Sequence, residues 1–451
     1  MRFELLLFLA TTAAAQPEPR IQFSHTTESL RGVSAVSRQI AWASGTHGTY
    51  LRTIDAGRTW TPAQVPDANT LDFRAVVAFS PTEAFLMSSG PGDQSRIYHT
   101  TDAGQHWQLQ FTNPNPKGFF DSMQFWDPKH GIVLGDPIPD ENGKLHFELL
   151  QTEDGQTWHQ VPPTQLPEAL EGEGAFAASN SCIAILHSRL TVSQSSSSSD
   201  PVILSEAVTS EAQPRRRRIP TMLLQPAAKP EVLATGLVGQ SPLLAASRKG
   251  GASAPPQPAM NEAASAPDLN IWFASGGKTA RVFHSPDAGK TWQVFDTPIV
   301  HGQDSTGIFS IAFRDALHGV IAGGDYKRPK DDGPNLAFTE DGGKSWTLSG
   351  IKPQGYFSAI AYDARFNQEA KQQAAAEAAE EKGGKKIRIK PTAHERLFVV
   401  GQDFVFDFRP PNNPRRLSGN KKHPLTFNAV IPYPEGGALI VGPKGAIVFL
   451  P

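Results

Sequence analysis

Acidic, aromatic and basic side chains recur where predicted strands begin or end, and their types could support chemistry on a bound sugar or acid. Glycoside hydrolysis needs two carboxyls that flank one bond, and arginines hold a carboxylate through two parallel hydrogen bonds. Solvated loop charges are the plainer interpretation of the same residues. The candidate binding residues are Arg31, Arg74, Asp136, Asp325, Tyr326 and Lys327.

Motifs for other kinds of catalysis are absent from the sequence. It contains neither a complete phosphate-binding loop nor a Gly-x-Ser-x-Gly nucleophile turn nor a His-Glu-x-x-His zinc motif. The single cysteine, Cys182, excludes an internal disulfide and a cysteine-rich zinc site. The 42 Lys and Arg residues nearly balance the 44 Asp and Glu residues, which argues against a nucleic-acid partner. We therefore expect no catalytic residue, no metal and no cofactor.

A short motif recurs five times along the chain. In each copy Ser or Thr lies two positions before an Asp, glycine follows within two positions, and Trp closes the motif. The Asp, Gly and Trp residues that define the copies are Asp55, Gly57 and Trp60; Asp102, Gly104 and Trp107; Asp154 and Trp158; Asp287, Gly289 and Trp292; and Asp341, Gly343 and Trp346.

Each residue type in the motif suits a turn between two strands. An Asp carboxylate accepts hydrogen bonds from turn amides, and glycine adopts backbone angles that a side chain opposes. The Trp ring is buried as the next strand begins. We interpret the motif as a structural hairpin turn whose aspartates bind the amides of their own loop.

Short β-branched and aromatic runs around each copy predict antiparallel strands in repeating units of similar length. The fold expected is all-β, a seven-bladed β-propeller of four-stranded antiparallel blades. Three strands after residue 425 lack a fourth, which the segment from Arg20 to Ser24 could supply, closing the ring. The predicted blades are 31–66, 72–114, 119–165, 172–298, 307–352, 355–418 and 425–451.

Two stretches interrupt this period. Residues 188–267 are rich in Ser, Pro and Ala and predict a disordered insertion within blade 4. Residues 364–393 are rich in Ala, Glu and Gln and predict a partly helical insertion within blade 6. Both fall between the first and second strands of a blade, on the face that carries the turn motifs. The opposite face is therefore expected to be free for binding.

The N-terminal residues 1–15 combine one arginine, a short apolar run and three alanines, which is typical of a cleaved signal peptide. The apolar run is too short for a stable membrane span. The mature propeller would then comprise residues 16–451. We expect an exported monomer that lies in the periplasm or outside the cell.

The recurring motif resembles the Asp-box of sialidase-like β-propellers. Together with Phe313–Gly319 and the Gly-Gly-Asp-Tyr segment that ends at Tyr326, it makes the chain similar to bacterial relatives of the photosystem II stability/assembly factor family. The resemblance runs from about residue 30 to 451 outside the two insertions. It implies a non-catalytic assembly or stability factor that binds a protein or peptide. The alternative is a glycan-acting enzyme or lectin of the sialidase-like type.

Overall fold

The computed structural model describes residues 19–187, 269–350, 355–363, 396–401, 404–408, 415–417 and 426–451. The predicted signal peptide and both predicted insertions lie outside the described residues. Helical elements in these described ranges are two single-turn 3-10 helices, Gly92–Gln94 and Pro163–Gln165.

The described strands form seven antiparallel sheets, each of which is one blade. Four strands follow one another from the first to the last in every blade. Their bounds are Leu30–Ala35, Ala41–Gly45, Thr49–Thr53 and Thr61–Gln64 in blade 1; Asp72–Ala78, Ala84–Ser89, Arg96–Thr100 and Gln108–Thr112 in blade 2; Phe120–Phe125, Gly131–Pro139, Leu145–Thr152 and His159–Gln160 in blade 3; Ile183–His187, Leu269–Ala274, Arg281–Ser285 and Gln293–Asp296 in blade 4; Thr306–Phe313, Gly319–Asp325, Leu336–Thr339 and Thr347–Leu348 in blade 5; Phe357–Tyr362, Leu397–Gly401, Phe404–Phe408 and Arg415–Leu417 in blade 6; and Ala429–Pro432, Ala438–Gly442, Ala446–Leu450 and Arg20–Gln22 in blade 7.

The blades close into a ring. The first strand of each blade contacts the first strands of both neighbouring blades, and this series of contacts returns from blade 7 to blade 1. The N-terminal strand completes blade 7, where Arg20 pairs with Phe449 and Gln22 with Ile447. This confirms the predicted seven-bladed propeller and its closure by strands from both ends of the described chain.

The core is divided among the interfaces between blades. Seven buried clusters are present in the described residues, and each combines side chains from two adjacent blades. In the cluster between blades 7 and 1, for example, Trp60 packs with Tyr433 and Phe449. Burial of apolar surface therefore joins blade to blade around the whole ring.

Blade 5 differs from the four-stranded expectation. Its sheet gains two short strands, Glu173–Gly174 and Gly276–Gly277, on the side of its first strand that faces the axis. A Cβ atom at Gly276 would overlap the backbone of Gly307, so the close approach of these strands depends on glycine. The addition narrows the centre of the ring on one side.

The five recurring motifs form tight turns between the third and fourth strands of blades 1 to 5. In the first turn, Asp55 accepts the backbone N–H of Thr59 at 2.9 Å and its hydroxyl at 2.6 Å. The Thr53 hydroxyl accepts the N–H of Gly57 at 2.9 Å. Hydrogen bonds from the backbone and the ring of His106 lower the pKa of Asp102 to about 2, so this carboxylate stays charged in its turn.

A second set of hydrogen bonds ties each of these turns to the preceding blade. One backbone carbonyl in every turn accepts a hydrogen bond from a side chain of the blade before it. The five donor and acceptor pairs are Gln22 and Ala56 at 3.1 Å, Tyr50 and Gly104 at 2.9 Å, Gln110 and Gly155 at 3.0 Å, Gln151 and Ala288 at 3.3 Å, and Trp272 and Gly342 at 2.9 Å.

Replacing Tyr50 by Phe tests how much one of these hydrogen bonds between blades contributes to stability. The change removes the hydroxyl that joins blade 1 to the turn of blade 2 and leaves the Gly104 carbonyl without that donor. We expect the free energy of unfolding to fall by about 1–2 kcal/mol, the cost of an unmade hydrogen bond. Urea denaturation measures it.

The matched control is Tyr98→Phe. Tyr98 is as buried as Tyr50 and also lies in a third strand, but no described group pairs with its hydroxyl. Its loss of stability is expected to stay below about 0.5 kcal/mol. Equal losses of unfolding free energy in the two variants would contradict a stabilising role for the Tyr50 hydrogen bond.

Candidate functional site

A cavity of about 800 Å³ opens where the first strands of the blades begin. Its lining includes the starts of first strands and the connections between second and third strands, and the recurring turns do not take part in it. Three chemical groups share the lining. They are basic (Arg31, Arg74 and Lys117), acidic (Asp121, Asp136, Glu173 and Asp304) and aromatic (Phe119, Phe176, Phe309, Tyr326 and Tyr356).

β-bulges direct several of these side chains into the cavity. The pairing of the first and second strands skips one residue in five blades. In blade 6 it is Ser358, whose hydroxyl bonds to backbone carbonyls. In blades 1, 2, 3 and 5 it is Arg31, Arg74, Asp121 and Phe309, respectively, and these four side chains line the cavity. A bulge locally turns a strand and re-aims one side chain, which is why bulges are frequent near binding sites. Each of these blades thus presents one side chain to the axis.

Two arginines share a single carboxylate at one side of the cavity. A guanidinium nitrogen of Arg31 lies 3.3 Å from Oδ2 of Asp72, and a guanidinium nitrogen of Arg74 lies 3.0 Å from the same atom. Arg74 also donates to the Ala177 carbonyl at 3.1 Å. Two positive charges against one negative charge leave an excess of positive charge facing the cavity, and both side chains are more than a quarter exposed.

Two carboxyls lie beside the arginines, on blade 3, of which Asp121 is buried and Asp136 is half-buried. Asp121 is 1% exposed, and its Oδ2 has no hydrogen-bond partner among the described residues. Burial raises the pKa of Asp121 well above its ordinary value, and the nearby Asp136 raises it further. Asp136 accepts the backbone N–H of Ala175 at 3.0 Å, and burial raises its pKa as well.

Aromatic rings form the third part of the lining. The rings of Phe176 and Phe309 stack with centroids 4.2 Å apart, and Tyr356 meets Phe309 edge-on at 5.1 Å. The ring of Tyr326 lies edge-on to both phenylalanines and is 45% exposed. Rings held in this way offer a rigid apolar surface that costs little side-chain entropy to bind against.

The segment 172–178 supplies the wall between the acidic and aromatic groups. Its Glu173 side chain is fully buried and forms an ion pair with Arg281, while the Ser275 hydroxyl donates to the same carboxylate. Phe176 follows three residues later and stacks on Phe309. The ion pair therefore anchors the wall that carries Phe176 and the Ala175 N–H.

The six predicted binding residues separate into two groups. Arg31, Arg74, Asp136 and Tyr326 all line the cavity. Asp325 lies outside the lining, buried in its own turn, where it accepts the N–H of Lys327 and the guanidinium of Arg328. Lys327 is exposed beside it and also lies outside the lining.

Sequence reasoning missed Asp121, Phe176, Phe309 and Tyr356. All the bulged residues of the first strands share a signal that could have been read, namely a large apolar residue before the bulge and a small residue after it. The segments that follow this pattern are Leu30-Arg31-Gly32, Phe73-Arg74-Ala75, Phe120-Asp121-Ser122, Ile308-Phe309-Ser310 and Phe357-Ser358-Ala359. Aligning the first strands by it would have identified Asp121 and Phe309 as equivalents of Arg74.

Metal-ligating clusters and membrane-spanning helices were two further features of interest. Within the described ranges, no three Asp, Glu, His or Cys side chains come together as a metal site. No helix that is long and apolar enough to cross a membrane occurs among the described residues.

No family model matches the chain, and no curated protein matches it. The solved structure of YCF48 bound to D1 peptide is 13% identical, covers 96% of both chains and has a TM-score of 0.50. YCF48 from Cyanidioschyzon merolae is 13% identical over 96% of this chain and 98% of its own, with a TM-score of 0.48. The WD40 β-propeller domain of Doa1 is 9% identical over 96% and 97%, with a TM-score of 0.48. At these identities the likeness shows the fold alone.

The buried Asp121 carboxyl makes a prediction for stability against pH. Burial, and then the nearby carboxyls of Asp136 and Glu148, raise the pKa of Asp121 in the folded state above the ordinary 3.8, although the positive charge of Arg74 opposes them. The folded protein therefore holds this proton more tightly than the unfolded chain, and stability is lost as pH rises through the interval between the two pKa values. Asp121→Asn mimics the protonated acid, so its melting temperature is expected to exceed that of the wild type by a few degrees near neutral pH.

Thermal unfolding from about pH 4 to pH 8 measures this difference. The gap between Asp121→Asn and the wild type is expected to widen as pH rises. Asp332→Asn, a change of an exposed carboxylate, is the control and is expected to show no such widening. A constant gap for Asp121→Asn would contradict a raised pKa at this residue.

Proposed function

We propose that the protein is an exported, non-catalytic propeller that binds a peptide segment of a partner protein in the central cavity. Its role would be to assist the assembly or stability of the partner. The observation that carries the proposal is the cavity lining itself, in which bulges from four different blades bring arginine, carboxyl and aromatic side chains to one place.

The size and chemistry of the cavity suit a peptide. Its volume of about 800 Å³ lies within the usual range of ligand pockets. The half-exposed Arg31 and Arg74 offer free N–H groups for a carboxylate, because Asp72 cannot satisfy both guanidinium groups. Tyr, Phe and Arg side chains in a concave centre are typical of the residues that contribute most to protein binding.

The structural likeness adds support at the level of the fold. YCF48 is a protein of similar fold whose solved structure holds a D1 peptide. A peptide is the kind of ligand proposed here, and the partner of this chain is identified only by its chemistry.

A glycan-acting enzyme is the second candidate, because two carboxyls with raised pKa values, Asp121 and Asp136, share the cavity. Such a pair could supply the acid and the base of glycoside hydrolysis. The sialidase version of this activity would need three arginines around one carboxylate, and the described lining contributes two. Turnover of chromogenic glycosides or sialosides that is abolished by Asp136→Asn would favour this candidate over peptide binding.

Peptide selection tests the proposed function. A phage library of random dodecapeptides is selected against the wild type, and each enriched peptide is then measured by fluorescence anisotropy. We expect Arg31→Ala and Arg74→Ala each to weaken binding by about tenfold or more, because each loses charge-assisted hydrogen bonds to the peptide. Thermal unfolding verifies that both variants are folded.

The matched control is Arg58→Ala. Arg58 is an exposed arginine in the first recurring turn, outside the cavity lining. The affinity of the Arg58→Ala variant for the same peptides is expected to remain within about twofold of that of the wild type. Peptides that bind all three variants as tightly as the wild type would place recognition elsewhere and refute the proposal.

A further inference from the structure

The chemistry of the cavity also restricts which peptide it takes. Asp121 is the bulged residue of blade 3, and Asp136 is the residue skipped when the second and third strands of the same blade pair. Both line the cavity, and the charge of Asp136 acts on Asp121. Two bulges in one blade thus bring two carboxyls to the lining of the same cavity, near enough for one to influence the other.

The described residues offer this carboxyl pair no direct ion pair. Among the described residues, neither Asp121 nor Asp136 forms an ion pair, although Arg74 is close enough to influence Asp121. The Arg74 guanidinium is directed instead to Asp72 and to the Ala177 carbonyl. Backbone N–H groups of Ala175 and Ala177 donate to the two carboxyls.

One oxygen of the pair has no hydrogen-bond partner in the described part of the chain. The Oδ2 atom of Asp121 is buried, and no described group hydrogen-bonds to it. An unsatisfied buried polar atom costs free energy whether the carboxyl is charged or protonated. In a residue that lines a cavity, a bound ligand can supply the missing group.

We propose that Asp121 and Asp136 form a subsite for a positively charged side chain, so that the bound peptide carries a lysine or arginine beside the acidic group held by Arg31 and Arg74. This inference rests on the proposed function. A lysine ammonium has three N–H donors and no acceptor, and a guanidinium has five donors, so either can satisfy Oδ2 of Asp121 together with the Asp136 carboxylate. The aromatic group formed by Phe176, Phe309, Tyr326 and Tyr356 then contacts the stem of the basic residue or a neighbouring apolar residue.

A parallel selection tests the subsite. The same dodecapeptide library is selected against the wild type, the double variant Asp121→Asn/Asp136→Asn and the control Asp332→Asn. Asparagine keeps the shape of each side chain and removes its charge. We expect peptides from the wild type and the control to be enriched in Lys or Arg, and peptides from the double variant to lose that enrichment while they keep acidic residues.

Charge removal from the peptide gives an independent measurement. In a peptide selected on the wild type, each lysine is replaced in turn by norleucine, which retains the stem and loses the ammonium. One replacement is expected to weaken binding to the wild type by about tenfold, and to the double variant by less than about twofold.

Failure of the subsite and failure of the proposed function are distinguishable. Equal enrichment of basic residues on the wild type and the double variant, with binding still dependent on Arg31 and Arg74, would overturn the subsite and leave peptide binding intact. Absence of any peptide whose binding depends on the arginines would overturn both. Thermal unfolding of the double variant verifies that its loss of enrichment is not a loss of fold.

Discussion

The hydrogen bond that each recurring turn of blades 1 to 5 accepts from the preceding blade is the interaction that fixes the turn-bearing face of the propeller, beside the apolar clusters that join all seven blades. In every one of the five turns a backbone carbonyl accepts this bond, while the Asp of the turn accepts bonds from its own loop. The turn is therefore rigid within itself and is also joined to its neighbour. The side chains of the turn motifs are thus largely paired within the fold. The cavity that gathers arginine, carboxyl and aromatic side chains lies at the opposite face, where the first strands begin.

On that opposite face, β-bulges convert a regular ring into an irregular site. A repeating fold would present similar side chains around its axis, but one skipped residue in each of several first strands allows the side chain there to vary without disturbing the core. Arg31, Arg74, Asp121, Phe309 and Ser358 are five outcomes at this one position. The short strand at Glu173 adds a wall that no symmetry of the propeller provides, anchored by its ion pair with Arg281. The buried Oδ2 atom of Asp121, which has no hydrogen-bond partner among the described residues, lowers stability, and a ligand that bonds to it would offset that cost.

The sequence predicted the scaffold better than the site. Five copies of one turn motif and the missing strand of the last unit were enough for the blade number and the closure, because both depend on local patterns. Arg31, Arg74, Asp136 and Tyr326 were predicted near the ends of strands, and they line the cavity. Asp121 occupies the same bulged position as Arg31 and Arg74, inside a strand between Phe120 and Ser122, and without the bulge the strand pattern did not single it out. Asp325 resembled Asp136 in sequence, but the neighbouring Arg328 holds it in a turn. Both differences arise from tertiary contacts that strand periodicity does not encode.

Amide hydrogen exchange of the protein with and without its tightest selected peptide tests most directly whether binding occupies the face opposite the recurring turns. If it does, protection from exchange concentrates in the starts of the first strands of blades 1, 2, 3 and 5 and in the segment 172–178. The turns that contain Asp55, Asp102, Asp154, Asp287 and Asp341 then exchange at unchanged rates. Protection centred on those turns, with the cavity lining unaffected, would contradict the account.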